Sequence, residues 1–301
     1  MSNQDKNFRG IYVAAVTPMT AKSEVDYNTL ASFTDGLIAS GVDGVIPLGS
    51  TGEFYALTPE ERRDVLKGTI EAAGGRVPVL AGTNAGSTQD VVSYSRQTEK
   101  LGASGLLLAA PFYSLPTLDE LYEHFKAVND AIGIPIMLYN YPGRTGVDLT
   151  PDFVERLTAL SNIKYIKEST GDVTRVSELI KRLEGRIEVF CGGDLVPLES
   201  FVLGAVGWVG GIANVLPKSH VKLFDLAVVK GDFVAARKFF YEIFDSLQII
   251  ETSGKYTQYV KAGCEIMGRP VGSPRMPLGP VTKEEYAKLE EILSKISSEG
   301  A

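Results

Sequence analysis

The sequence predicts an α/β fold, a (β/α)8 TIM barrel with a C-terminal helical extension, and three observations carry that prediction. Eight short apolar runs start near residues 11, 44, 77, 105, 135, 163, 187 and 207, and amphipathic stretches separate them. The runs are apolar throughout, as burial on both faces of a parallel sheet demands. Eight such units within roughly 200 residues suit a closed barrel better than a doubly wound sheet.

Each element has its own signal. Gly10-Ile11-Tyr12-Val13-Ala14-Ala15-Val16 is a buried strand stopped by Thr17-Pro18. Asp26 caps a helix with Leu30, Phe33, Leu37 and Ile38 at helical spacing, ending near Gly41. Gly44-Val45-Ile46-Pro47-Leu48 is the second strand, and the loop Gly49-Ser50-Thr51-Gly52-Glu53 follows it. Thr58-Pro59-Glu60-Glu61 gives an N-cap, a proline at the first helical position and acids in the first turn, starting a helix to about Ala73. The alternation then repeats: strand Val77 to Gly82, helix Ser87 to Leu101, strand Gly105 to Ala109, helix Thr117 to Ala131, strand Pro135 to Tyr139. A helix begins at Thr150-Pro151-Asp152, Ile163 to Lys167 is a strand, and Asp172 to Leu183 a helix. Ile187 to Cys191 and Gly207 to Gly210 are the last strands, with Leu195 to Leu203 between them.

From Pro217 onward the pattern is helical only, with Phe233, Ala236, Phe240, Phe244 and Leu247 at three- and four-residue spacing. Tyr256 to Met267 and Thr282 to Ile296 complete that region. The division expected is a barrel over 1–216 and a helical segment over 217–301 packed on it. No Pro/Gly/Ser-rich linker separates the two.

Composition narrows the function classes. The chain has 301 residues, a net charge of -7 and a pI near 5.1, which argues against nucleic acid or an anionic membrane as a partner. Two histidines, His124 and His220, and two cysteines, Cys191 and Cys264, argue against a disulfide framework or a Cys/His zinc site. No strand is followed by a phosphate-cradling glycine pattern, so the reading calls for no cofactor and no metal. The start, Met1 to Arg9, is polar, and no stretch approaches 18 uninterrupted apolar residues. A cytoplasmic protein is expected.

In this architecture reacting groups sit at the C-terminal ends of strands. Here those ends carry Ser50 and Thr51, then Phe112 and Tyr113, then Tyr139-Asn140-Tyr141 with Arg144 in the next loop, then Lys167. A lysine at the end of a buried strand is desolvated, which favours the neutral, nucleophilic amine. A lysine with tyrosines, hydroxyls and an arginine suits imine chemistry on a keto acid, the arginine clamping a carboxylate. Each residue also has an ordinary reading. Lys167 reads as a surface lysine beside Glu168, Tyr113 and Tyr139 as half-buried strand tyrosines, Ser50-Thr51 as a turn, and Arg144 as a loop residue. Glu53 and Asp194 read as caps or structural hydrogen bonders, and both histidines as structural. Their joint placement at successive strand ends is the argument for one site.

These residues carry a resemblance. Gly49-Ser50-Thr51-Gly52-Glu53, Tyr139-Asn140-Tyr141-Pro142 and Ile166-Lys167-Glu168-Ser169 are similar to the motifs of the dihydrodipicolinate synthase and N-acetylneuraminate lyase family, the class I Schiff-base aldolases. The resemblance spans the whole chain. It implies that Lys167 forms an imine with pyruvate or another 2-keto acid, that Tyr139 transfers protons, and that Ser50 and Thr51 bind the keto-acid carboxylate and join a relay. Tyr113 falls where the synthases carry a relay tyrosine that enters a neighbouring subunit's site, so the resemblance implies a homo-oligomer, a tetramer or a dimer. Gly192 and Val209 fall where backbone groups line the pocket.

Arg144 matches the arginine that synthases use for the carboxylate of aspartate semialdehyde, which favours 4-hydroxy-tetrahydrodipicolinate synthase. Ser50 in place of threonine, and Phe54-Tyr55 in place of small residues, depart from that pattern. Pro59 and Gly86 stand where lysine-inhibited synthases have polar ligands, which argues against lysine feedback. The alternative is a catabolic aldolase, dehydratase or deaminase on a 2-keto-3-deoxy sugar acid, 4-hydroxy-2-oxoglutarate, a hydroxyproline-derived imine or N-acetylneuraminate. A non-catalytic ligand-binding barrel is a third reading.

Overall fold

Eight strands form one parallel sheet: β1 (Gly10–Ala14), β2 (Gly44–Ile46), β3 (Leu80–Gly82), β4 (Gly105–Ala109), β5 (Ile136–Asn140), β6 (Ile163–Glu168), β7 (Glu188–Cys191) and β8 (Gly207–Gly210). They are taken from a computed structural model, which describes residues 7–296. The order is β2-β1-β8-β7-β6-β5-β4-β3, and a parallel bridge between Val45 and Val79 joins the two ends into a barrel. β3 is shorter than its apolar run suggests: Val77 and Pro78 precede it, and Val79 makes only that bridge.

Between the strands run α1 (Tyr27–Ala39), α2 (Pro59–Ala73), α3 (Thr88–Lys100), α4 (Leu118–Ala131), α5 (Pro142–Thr145), α6 (Pro151–Leu157), α7 (Val173–Leu183) and α8 (Pro197–Val202). The expected caps are in place. Asp26, Thr58, Ser87, Thr117, Thr150 and Asp172 each accept a backbone N–H of the first turn. Thr58 with Glu61 and Thr117 with Glu120 close reciprocal capping boxes. The one-turn α5 and a 3-10 turn at Phe54–Ala56 carry no periodic signal and lie outside the elements that the sequence predicts.

The helical region comprises α9 (Pro217–Phe224), α10 (Phe233–Glu251), α11 (Tyr256–Ile266) and α12 (Lys283–Leu293), with a π-turn over Asp225–Val229 after α9. One apolar cluster contains Ile11, Leu106 and Ile166 of the barrel together with Leu223, Phe240, Leu247 and Val260 of these helices. That shared cluster joins these helices to the barrel.

A second cluster fills the barrel interior, where Phe8, Tyr12, Tyr165 and Phe190 meet edge to face or tilted at centroid distances of 4.9 to 5.9 Å. Glycines make room for them. A Cβ on Gly44 would lie 2.1 Å from the Tyr12 ring, and one on Gly207 would lie 2.4 Å from Phe190. This plug closes the N-terminal end of the barrel and leaves the C-terminal end for chemistry. The first six residues of the polar start lie outside the described residues, as do the last five of the helical segment. No described helix is long and apolar enough to cross a membrane.

Candidate active site

Lys167 is the penultimate residue of β6, and its side chain points into the barrel above Tyr165. The sheet register sets Tyr139 of β5 directly beside it and Phe190 of β7 on the other side. The lysine Nζ lies 4.4 Å from the centre of the Tyr139 ring. Lys167 is only 6% exposed, and no described carboxylate forms an ion pair with it. Burial pushes the ammonium down to about 8, while Asp194, Glu251 and Cys191 work against that shift and Arg144 adds to it. A buried amine with that pKa is largely available as a nucleophile in mildly alkaline water. Gly192 keeps it free: a Cβ there would stand 2.0 Å from Ser169 Oγ and 2.7 Å from the Lys167 side chain.

Ser50 and Thr51 stand in the loop after β2, and that loop is anchored from below. Glu53 adopts a left-handed backbone with φ of +56° and is completely buried. Its carboxylate pairs with Lys261 of α11 at 2.6 Å, both side chains being essentially inaccessible. The Arg275 backbone N–H donates to the other oxygen of Glu53 at 2.7 Å. Thr17 Oγ1 donates to the Gly52 carbonyl at 2.7 Å. Glu53 is thus structural, as its residue type suggested. The loop holds Ser50 against Tyr139, whose phenol burial raises to about 12, with Arg144 and the Ser50 hydroxyl acting in the opposite direction.

These groups share one cavity of about 390 Å³, lined by Ser50, Thr51, Tyr139, Arg144, Lys167 and Gly192 among others. Six of the eight residues singled out in the sequence therefore meet at one place. The other two do not. Val209 is fully buried in the barrel interior and does not line the cavity; Gly211, two residues on, does. Tyr113 is 98% exposed, with φ of +76°, and stands outside the cavity of its own chain. Arg144 comes from the short α5, is exposed, and leans over the Tyr141 ring at 5.7 Å without an ion-pair partner among the described residues.

Strand-end reasoning missed the opposite wall, which the helical segment supplies. Glu251 at the end of α10, Gly254, and Tyr256 at the start of α11 all line the cavity. The Tyr256 hydroxyl donates to Asp194, and Trp208 Nε1 donates to the same carboxylate at 2.9 Å. Burial raises the Asp194 carboxyl above the usual range despite both donors. A Cβ on Gly211 would stand 2.4 Å from the Tyr256 hydroxyl, so the glycine there admits that phenol, whereas a Cβ on Gly210 would meet Asp194 and His220 at 3.1 Å. Burial also raises Glu251, to about 7, with Asp194 adding to the rise and Lys167 and Arg144 opposing it. Only that glycine pair at the end of the last strand hinted at a bulky neighbour arriving from elsewhere.

Both histidines are structural. His124 Nδ1 lies 2.9 Å from Thr88 Oγ1, and His220 stacks on Trp208 at 3.9 Å; burial lowers them to about 4 and about 3. Among the described residues no group of three or more His, Cys, Asp or Glu could hold a metal ion. A second recess of about 250 Å³, lined by Phe54, Tyr55, Phe112, Ala109 and Ala110, opens beside Ser50, Tyr139 and Arg144. The arrangement as a whole can form and protonate an imine on a small keto acid while holding two further polar groups at the rim.

The chain matches the sequence profile of the Dihydrodipicolinate synthetase family over residues 7–296. It is 38% identical to the 4-hydroxy-tetrahydrodipicolinate synthase of Pelobacter propionicus, over 95% of this chain and 98% of that one. It is 43% identical to the enzyme of the same name from a Psychrobacter species, over 79% and 80% of the two chains. Among solved structures, the chloride-inhibited dihydrodipicolinate synthase of Acinetobacter baumannii, complexed with pyruvate, superposes with a TM-score of 0.91 at 35% identity, covering 96% and 99% of the chains.

Proposed function

Because the chain belongs to the dihydrodipicolinate synthetase family, we propose that it is a class I lyase that condenses pyruvate with aspartate semialdehyde through a lysine imine. The observation that carries this reading is Lys167, buried and lowered to about 8, in one cavity with Tyr139, Ser50, Thr51 and Arg144. The names of the curated relatives, and the pyruvate held by the Acinetobacter baumannii enzyme, point the same way.

In this mechanism Lys167 Nζ attacks C2 of pyruvate, and water leaves as the imine forms. Tyr139 and Ser50 carry the protons that make the carbinolamine oxygen a leaving group. Thr51 and the loop backbone hold the pyruvate carboxylate. The protonated imine draws electrons from C3, whose loss of a proton gives an enamine that attacks the aldehyde carbon. Arg144, unpaired with any carboxylate among the described residues, holds the carboxylate of the aldehyde. The substrate's amino group then bonds to C2 and releases Lys167, closing the ring.

Borohydride reduction in the presence of pyruvate tests the first step. Peptide mapping is expected to find the reduced adduct on Lys167. An adduct on another lysine, or none, overturns the mechanism.

Tyr113 belongs to this reading as a relay group donated to a neighbouring copy in a homo-oligomer, a tetramer or a dimer. Its near-complete exposure and left-handed backbone, outside the cavity of its own chain, support that role. The compartment proposed is the cytoplasm. A second reading, a catabolic relative acting on a bulkier 2-keto acid, rests on the apolar recess walled by Phe54 and Tyr55 beside Arg144. A panel of aldehydes and 2-keto-3-deoxy acids separates the two: turnover of aspartate semialdehyde alone removes the catabolic reading.

A further inference from the structure

The helical wall of the cavity carries an acid that the mechanism above leaves unused. Glu251 is the last residue of α10, half-buried, and it lines the same cavity as Arg144 and Lys167. No hydrogen bond or ion pair joins it to another described residue. The helix gives no reason for it either, because a carboxylate in a last turn opposes the macrodipole. The charges that act on it are Asp194, which repels it, and Lys167 and Arg144, which attract it. Asp194 is already satisfied by Trp208 and Tyr256. An unpaired carboxylate at a substrate cavity is a receptor for a cation that the substrate brings.

The aldehyde proposed above brings one. Its ammonium and carboxylate sit on the same carbon, so a pocket that holds both needs one basic and one acidic group within reach of a single atom. Arg144 comes from the loop after β5 and Glu251 from the end of α10, and both face one space of about 390 Å³. We propose that Glu251 binds the ammonium group of the second substrate while Arg144 holds its carboxylate, so that the cavity selects a zwitterionic amino-acid aldehyde over the same aldehyde without its amino group. This inference rests on the aspartate semialdehyde reading.

The test compares L-aspartate semialdehyde with succinic semialdehyde, its deamino counterpart, at saturating pyruvate. The wild-type enzyme is expected to prefer the amino aldehyde by about tenfold or more in kcat/KM, the scale of one charge-assisted contact. In Glu251→Gln that preference should fall by about tenfold through a rise in KM for the amino aldehyde, with KM for succinic semialdehyde unchanged, and Glu251→Asp should keep most of it. Equal losses for both aldehydes in Glu251→Gln, or an unchanged preference, overturn the proposal. Should Glu251→Gln fail to fold, Glu251→Ala replaces it under the same criteria, because the wild-type ratio also carries the amino group's part in releasing Lys167; equal use of the two aldehydes by the wild-type enzyme overturns the proposal in either case. Borohydride trapping of pyruvate separates the layers. Wild-type enzyme that traps pyruvate but turns over neither aldehyde overturns the synthase reading and this proposal with it, whereas turnover without discrimination overturns this proposal alone.

Discussion

We infer that Lys167 is kept in a state that costs the fold and serves the proposed reaction. Its ammonium falls from an ordinary value of 10.5 to about 8 in the folded chain, chiefly by burial. The unfolded chain therefore binds the lysine proton more readily, and stability rises with pH between about 8 and 10.5. Below that window the cost is present in full, on the order of 3 kcal/mol. Lys167→Met is accordingly expected to raise the midpoint of thermal unfolding at pH 7 while abolishing borohydride trapping. A lowered midpoint counts against the buried-amine account. The same shift sets the pH profile of the wild-type enzyme: imine formation at low pyruvate should climb with pH and level off above about 8, as the neutral amine becomes the main form. Stopped-flow trapping across pH 6 to 10 measures it, and a plateau already reached at pH 6 contradicts the assigned group. This residue was legible only jointly: alone it reads as a surface lysine beside Glu168, and its place with Tyr139, Ser50-Thr51 and Arg144 at successive strand ends marked it. Glu251 was not, because an acid at the end of an amphipathic helix looks like any solvated residue until the cavity beyond it is seen.

At the scale of elements, the active-site loop after β2 is held by groups remote in sequence. Glu53 is tied to Lys261 of α11 and to the backbone of Arg275, while the Arg275 guanidinium grips Glu61 of α2 at 2.7 and 2.8 Å. Removing one partner of the buried pair strands the other charge in the core, which costs about 3–5 kcal/mol. Lys261→Met is expected to destabilise by that amount in urea unfolding, and Glu53→Gln by a similar amount. The double variant should recover much of the loss. Simple additivity would show that the two side chains are not coupled. Because the pair fixes Ser50 and Thr51, the single variants should also raise KM for pyruvate. The cap at Thr58 and the helix starts at Thr117 and Thr282 were readable from the sequence, and each of the three closes a capping box within four residues. The turn at Phe54–Ala56 was not, since its shape depends on Glu53 and on a lysine more than one domain's breadth of sequence away.

At the scale of the whole molecule, we infer that the barrel, which carries Lys167, and the helices from α9 onward, which line the opposite wall of the cavity, work as one body. One apolar cluster crosses between them, and Lys261 anchors the loop that carries Ser50. The strand alternation disclosed the barrel and its strand-end groups, but nothing local in α10 or α11 says which way they face. Tyr113 extends the same logic beyond one chain. Its phenol is 98% exposed on a left-handed residue, and the aromatic recess beside Ser50 and Tyr139 is of a size to receive such a ring. If a neighbouring copy fills the recess, the proton relay is completed between subunits and the recess is closed to a bulky substrate, which favours the synthase reading over the catabolic one. Subunit complementation decides this. Tyr113→Phe and Lys167→Ala are each expected to lose at least about a hundredfold in kcat, as loss of a proton-transfer group or of the nucleophile should cause. Mixed by denaturation and renaturation, they should regain roughly a quarter of the wild-type rate per site, because some hybrid sites then combine an intact lysine with an intact tyrosine from the neighbour. A mixture no more active than the separate variants would show that Tyr113 serves its own chain or none, and would leave the recess open to substrate.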